Sequence, residues 1–206
     1  MTYSDSKRNE KRNQIVTTSS KLLKSRDYKE ISIKMISENL GWAKGTIYNF
    51  FKSKEEIFIA LYLIELEKWL LEIEEIFSLK ESPEDILDIF VERHCKRVLF
   101  IKLMSILNSV LEGSLSYEAS KNFKFTLLEK LIPISQKVSL SKIMKVEEVG
   151  PFLIHYTAHV IGLYQMSNIS DNLKRIFNRY PELEVFNPQF EKELKNYVQF
   201  YFYGQN

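Results

Sequence analysis

Residues 31–58, ISIKMISENLGWAKGTIYNFFKSKEEIF, decide the fold. Two short helical patterns, about Ser32–Leu40 and Ala43–Phe51, flank Gly41. Helices crossing this tightly need a small residue at the crossing, a glycine able to take φ > 0 in the turn, and apolar residues facing inward. Gly41 is the turn, and Ser37, four residues earlier, is the small residue. Ile36 and Leu40 hold the first helix inward; Trp42, Ile47 and Phe50 hold the second. Lys44, Gly45, Thr46, Tyr48 and Asn49 are left on the outer face of the second helix. The stretch reads as a helix-turn-helix. Ser53 and Glu56 then have the spacing of a capping box. They open a long helix whose apolar face runs through Ile57, Leu61, Ile64, Leu71 and Ile76 to Ser82–Pro83.

Outward from this core, apolar residues recur at three- and four-residue spacing almost throughout, as in amphipathic helices. A first helix is expected at about Lys7–Ser25. After Pro83 the pattern resumes through Ile86 and Phe90 to about Glu112. Another helix starts near Ser116 and is interrupted at Pro133. Two more cover about Val149–Met166 and Pro188–Tyr203, and Asn178, Pro181 and Asn187 mark an irregular connection between them. The expectation is an all-α chain of about nine helices and no strand. A helix-turn-helix domain at 1–54 precedes a helical domain at 55–206, the boundary lying inside the long helix.

Composition agrees. With 45% apolar residues in 206, the chain can bury a core without a disulfide or metal. Six glycines and five prolines disfavour a turn-rich β architecture. No run of about 18 uncharged apolar residues is present, so no membrane span is expected. The polar start, Met1–Glu10, and the single Cys95 point to the cytoplasm. The net charge of +2 hides a division: residues 1–54 carry 12 Lys+Arg against 5 Asp+Glu, the remainder 17 against 22. A basic end of this kind suits a polyanion, although a solvated face is the plainer reading of charge alone. The outer face of the second helix favours the polyanion. Placed in a major groove, Lys and Asn read base edges and hydroxyls hold phosphates. Gly45 costs about 1 kcal/mol relative to Ala inside a helix, a cost that close approach to DNA would explain.

Residues 31–58 resemble the DNA-binding signature of the tetracycline-repressor (TetR/AcrR) family of bacterial regulators. The resemblance rests on Gly41, Lys44–Gly45–Thr46, Tyr48, Phe51, Lys54–Glu55–Glu56 and the long helix that follows. It implies phosphate contacts from Ser32, Lys44, Thr46, Tyr48 and Lys54, with Lys44, Gly45 and Asn49 nearest the bases; Lys34 joins the DNA-binding set. Ala43 stands where a capping Ser is common, and Trp42 where a smaller aliphatic residue is usual. Lys7, Arg8, Lys11 and Arg12 would supplement the interface as a basic arm reaching phosphates or a minor groove. Function follows as a ligand-responsive repressor that binds a palindromic site on double-stranded DNA.

One short recognition helix touches few base pairs, so specific binding calls for two copies on a two-fold site. Tyr156, Val160, Leu163 and Tyr164 form one apolar stripe; Phe190, Leu194, Tyr197, Val198 and Tyr201 form another. The resemblance implies a four-helix bundle across a homodimer built from them. It also implies an effector pocket, for which Trp69, Phe90, His94, Phe100, Met104, Asn108, Phe123 and Tyr156 are candidates. The effector is an unidentified small molecule, and no cofactor is expected. The same DNA-binding head could instead serve chromosome organisation or cell-division control. An enzyme has little support. His155 and His159 stand i, i+4, but no Glu follows His155, so the metalloprotease motif is absent and no metal is assigned. His94 and Cys95 are chain neighbours that point apart on a helix.

Overall fold

The computed structural model describes residues 3–204. Its helices are α1 (Tyr3–Ser25), α2 (Ile33–Leu40), α3 (Lys44–Tyr48), α4 (Lys54–Ile76) and α5 (Pro83–Cys95). They continue as α6 (Val98–Ile106), α7 (Tyr117–Leu140), α8 (Val146–Ser167), α9 (Asp171–Arg179) and α10 (Phe190–Tyr203). Short 3-10 segments lie at Tyr28–Glu30, Glu112–Ser114 and Pro181–Phe186, and a π-turn at Leu107–Leu111. No strand occurs among the described residues, and the fold is all-α, with ten α-helices where about nine were expected.

The differences are local. The single pattern expected from Ile86 to Glu112 is broken after Cys95, where Arg97 donates to Glu72 (2.8 Å) and to the Lys68 carbonyl (3.2 Å). Pro133 does not interrupt α7. The carbonyl it leaves without a helical donor belongs to Glu129; both residues are exposed, so water can take the bond, while Ile134 and Val138 keep burying the apolar face. The connection after α8 contains a helix that was not foreseen, α9, started by Ser170, whose Oγ accepts from the Leu173 amide (3.3 Å).

The chain forms two compact units. The first takes the chain up to Glu67 together with Ile106–Lys124; the second takes Lys68–Ser105 and the chain from Phe125. The division therefore falls within α4, beyond residue 54, and the first unit recruits a later segment. In the first unit Ile15, Ile36, Ile47 and Ile57 are fully buried, each contributing about 1.5–3 kcal/mol. Tyr62 and Phe123 meet edge to face there (6.0 Å).

The second unit is built around aromatic side chains. Phe90 lies against Trp69 (5.1 Å), Tyr156 (4.8 Å) and Phe77 (5.8 Å). α10 packs on α5 and α8. That packing revises the stripes expected at a dimer surface. Tyr156, Val160, Leu194 and Val198 are buried inside the chain, because the apolar faces of α8 and α10 cover each other first. Leu163, Tyr164, Phe190, Tyr197 and Tyr201 are half-buried. Among the larger apolar side chains, these helices leave Val146, Ile154, Met166, Phe200 and Tyr203 to solvent.

Candidate nucleic-acid interface

α2 begins at Ser32, whose Oγ accepts from the Met35 amide (3.1 Å), and ends at Gly41 in the left-handed region (φ 68°). An L side chain is strained there, which is why glycine occupies the turn. The Trp42 amide donates back to the Ser37 carbonyl (2.9 Å). Ser37 is buried and folds its hydroxyl onto the Lys34 carbonyl (2.8 Å), so a polar residue sits at the crossing with its hydrogen bond made.

α3 starts without a side-chain cap, since Ala43 offers none; the Thr46 amide donates to the Ala43 carbonyl (2.9 Å). Ile47 and Phe51 are buried and fix the rotation of the helix. Lys44, Gly45, Tyr48 and Asn49 are exposed, and Thr46 is half-buried. The Lys44 ammonium hovers over the Tyr48 ring (5.8 Å). Ser32 and Lys34 are also exposed, Lys34 within reach of Glu38 (3.7 Å). On α1, Lys11 stands over Trp42 (5.9 Å) and Arg12 over Phe51 (4.7 Å). Lys7 and Arg8 are exposed a turn earlier. Cations and hydrogen-bonding side chains thus collect around α3 and its turn.

Lys54 is placed differently from its expected partners. Its Nζ donates to the carbonyls of Tyr28 (3.1 Å) and Ile31 (2.9 Å) and sits over the Tyr28 ring (3.8 Å). Partial burial lowers its pKa, against the opposing pull of Glu55. The Tyr28 hydroxyl donates to Glu55 (2.7 Å), and burial followed by that carboxylate pushes its pKa up. Burial alone would raise Glu55, but hydrogen bonds, that of Tyr28 foremost, outweigh it and lower the pKa. This Tyr28–Lys54–Glu55 cluster ties the turn before α2 to the start of α4. It was not read from the sequence, because a separation of 26 positions between Tyr28 and Lys54 conceals their proximity. The expected capping box is displaced by one residue: Ser53 Oγ accepts from the Glu56 amide (3.2 Å), but Glu56 reaches the amide of Lys52 (2.7 Å).

The effector candidates divide. Trp69, Phe90, His94, Phe100 and Tyr156 come together in the second unit, with Met104 buried in the same unit. Phe123 belongs to the first unit, and Asn108, also there, is exposed. His94 is almost wholly buried against Trp69 (4.4 Å), and its Nδ1 lies 2.8 Å from the Tyr156 hydroxyl. Burial, then the nearby Arg97 charge, lowers its pKa to about 3, so the ring is neutral. Fewest groups are left unpaired when the Tyr156 O–H donates to Nδ1, which places the ring proton on Nε2. Nε2 is buried without a partner. An orphaned donor of this kind costs about 1–3 kcal/mol. Close by, Phe90 and Phe152 help line an apolar void of about 10 Å³.

His155 and His159 are exposed on α8; the His159 ring stacks on Tyr197 (3.5 Å), with its Nδ1 on the His155 carbonyl (2.9 Å). Among the described residues, no group of three or more His, Cys, Asp or Glu side chains is placed to hold a metal ion. Burial pushes the Cys95 thiol up to about 12, with Glu191 adding, so it stays protonated. No helix among the described residues is long and apolar enough to cross a membrane.

A helix-turn-helix with a solvent-facing second helix, carried on an otherwise helical chain, defines a DNA-binding protein of the bacterial regulator class. Comparison narrows this. Residues 63–206 match the family model described as "Tetracyclin repressor-like, C-terminal domain", and residues 15–61 match "Bacterial regulatory proteins, tetR family". The chain belongs to the tetracycline-repressor family and is a DNA-binding transcriptional regulator. It is 27% identical over 81 residues to the fatty acid metabolism regulator protein of Bacillus subtilis, a match covering 39% of this chain and 42% of that protein. The chain thus spans about two fifths of that relative's length. Among solved structures it resembles E. coli NemR in its reduced form (TM-score 0.55, 14% identity, 91% of this chain and 95% of that one). It also resembles a TetR/AcrR-family regulator of Thermobifida fusca (TM-score 0.54, 18% identity, 96% and 99%).

Proposed function

We propose that this regulator is a repressor that binds a two-fold operator as a homodimer and responds to a small-molecule effector held in its second unit. The observation that carries the reading is α3, where Lys44, Gly45, Tyr48 and Asn49 all face solvent on a helix whose rotation Ile47 and Phe51 fix. Lys44, Gly45 and Asn49 meet base edges. Ser32, Lys34, Thr46 and Tyr48 hold phosphates on either side, and the α1 cations extend the contact. Lys54 acts through the fold, by holding the turn before α2. α8 and α10 supply the dimer surface through Ile154, Met166 and Phe200, with the half-buried tyrosines at its margin. The protein works in the cytoplasm, where the operator is.

The effector has an apolar body and one hydrogen-bond acceptor, a carbonyl or carboxylate, that meets His94 Nε2–H. Room for it comes from displacement of Phe90, which links the His94 cluster to the small void. Because the Bacillus subtilis relative is a fatty acid metabolism regulator protein, a fatty acid such as dodecanoate is the first probe. Bound effector favours a conformer in which the two recognition helices no longer match the groove spacing, which requires tighter binding to that conformer.

The experiment is selection of genomic fragments by purified protein at physiological salt. The expected result is a small set of two-fold sites near promoters. Binding without enrichment over bulk DNA, lost on modest salt addition, would reduce the interface to non-specific charge.

A further inference from the structure

The segment between α8 and α10 forms a projection whose ends are pinned together: Ser167 Oγ donates to the Pro188 carbonyl (2.9 Å). Within it, α9 packs on the following 3-10 segment, and neither contains a buried residue. Yet α9 is strongly amphipathic. Leu173, Ile176, Phe177 and Tyr180 stand at i, i+3, i+4 and i+7, one apolar face of a helix. Phe177 is half-buried; Leu173, Ile176 and Tyr180 are exposed, and beyond them Val185 and Phe186 are 80% and 68% exposed. An isolated helix below about 12–15 residues is marginal in water, so most helical stability comes from packing. This nine-residue helix buries none of its own residues and so leaves most of its apolar face open to a surface outside the chain.

Charge selects the occupant. α9 carries Lys174, Arg175 and Arg179 against Asp171, whereas the 3-10 segment carries Glu182 and Glu184. Over 168–187 the charges cancel, three against three. A membrane-surface helix or a nucleic-acid contact would need a net positive face. A projection with a basic half and an acidic half is instead complementary to itself under two-fold symmetry. We infer that 168–187 is a dimerisation arm: the basic α9 of each copy lies along the acidic 3-10 segment of the other, and Leu173, Ile176, Tyr180, Val185 and Phe186 are covered between them. The arm extends the homodimer proposed above and rests on that reading.

Two charge-reversed proteins test it: Lys174→Glu with Arg175→Glu and Arg179→Glu, and Glu182→Lys with Glu184→Lys. Sedimentation equilibrium gives self-association, and circular dichroism with thermal melting confirms that each folds. Each variant alone is expected to dimerise about tenfold more weakly than wild type, about 1.4 kcal/mol. Mixed in equal amounts, they should recover wild-type affinity, because both cross-contacts then pair opposite charges. A wild-type chain that is monomeric at all concentrations removes the dimer reading itself. A wild-type dimer that both variants leave unchanged, or a mixture that fails to recover, overturns the arm alone. So would flotation of wild type on anionic vesicles that Leu173→Asp with Ile176→Asp abolishes, since the occupant would then be a lipid surface.

Discussion

A Cβ built on Gly45 meets nothing within 4 Å, and the residue is not among the glycines at positive φ. Packing and backbone conformation within the chain therefore tolerate alanine, which gains about 1 kcal/mol in a helix interior. If glycine serves approach to a base edge, Gly45→Ala leaves melting unchanged or raised while operator affinity falls about tenfold, about 1.4 kcal/mol. Melting curves and fluorescence anisotropy on one preparation check both halves, and unchanged affinity would detach Gly45 from the interface. His94 supports a different measurement. Its folded pKa, about 3, lies below its ordinary 6.5, so the native ring is neutral while the unfolded chain takes up a proton below 6.5. Its contribution is intact above 6.5 and is lost as pH falls toward 3, at up to about 1.4 kcal/mol per unit. From pH 6.5 to about pH 5, wild type should lose about 1.7 kcal/mol more than His94→Phe in urea titrations. Parallel losses would mean that His94 titrates as an accessible ring.

The start of α4 shows how an element is set by residues far away in sequence. Lys54 spends two of its three N–H groups on the Tyr28 and Ile31 carbonyls. Lys54→Ala should therefore cost about 1–2 kcal/mol of stability, read by urea unfolding, and leave the salt dependence of DNA binding unchanged. Lys34→Ala, at an exposed cation assigned to a phosphate, should reverse the pattern: stability is kept, and the slope of log K against log salt falls by about 1.8, about 0.9 for each copy in the dimer. A Lys54 variant with a reduced slope and full stability would return that ammonium to the phosphate backbone. The same contrast explains what was legible beforehand. The helix-turn-helix could be read because its determinants, Ser32, Ser37, Gly41 and Ile47, lie within sixteen residues and act locally. Tyr28–Lys54–Glu55 could not, being assembled by tertiary folding. Pro133 misled because the cost of a helical proline depends on whether the freed carbonyl is wet, which the sequence does not state. α9 escaped notice because Asn178 and Pro181 signal an irregular connection, while the start of the helix is fixed by the Ser170 cap.

At the scale of the whole molecule, a DNA site in the first unit and an effector site in the second are linked only if each ligand changes the other's affinity. α4 gives that linkage a covalent route, since its residues belong to both units. Linkage is reciprocal: if effector weakens operator binding by some factor, operator weakens effector binding by the same factor. Trp69, 4.4 Å from His94, is a built-in reporter of the second unit, and Trp42→Phe would remove the other tryptophan's signal. With dodecanoate as probe, Trp69 fluorescence should change on binding. Operator affinity should fall about five- to 150-fold, the span of about 1–3 kcal/mol of coupling. Repeating the Trp69 titration with operator bound should raise the dodecanoate Kd by that same factor. His94→Phe, which cannot donate to the carboxylate, should weaken the probe while sparing operator binding in its absence. A fluorescence change with operator affinity unaltered would make the cavity a lipid site without regulatory consequence. No fluorescence change would remove fatty acids and leave His94 to be tested with neutral carbonyl compounds. The reciprocal factor is the decisive quantity, because two independent sites on one chain give a factor of one however tightly either ligand binds.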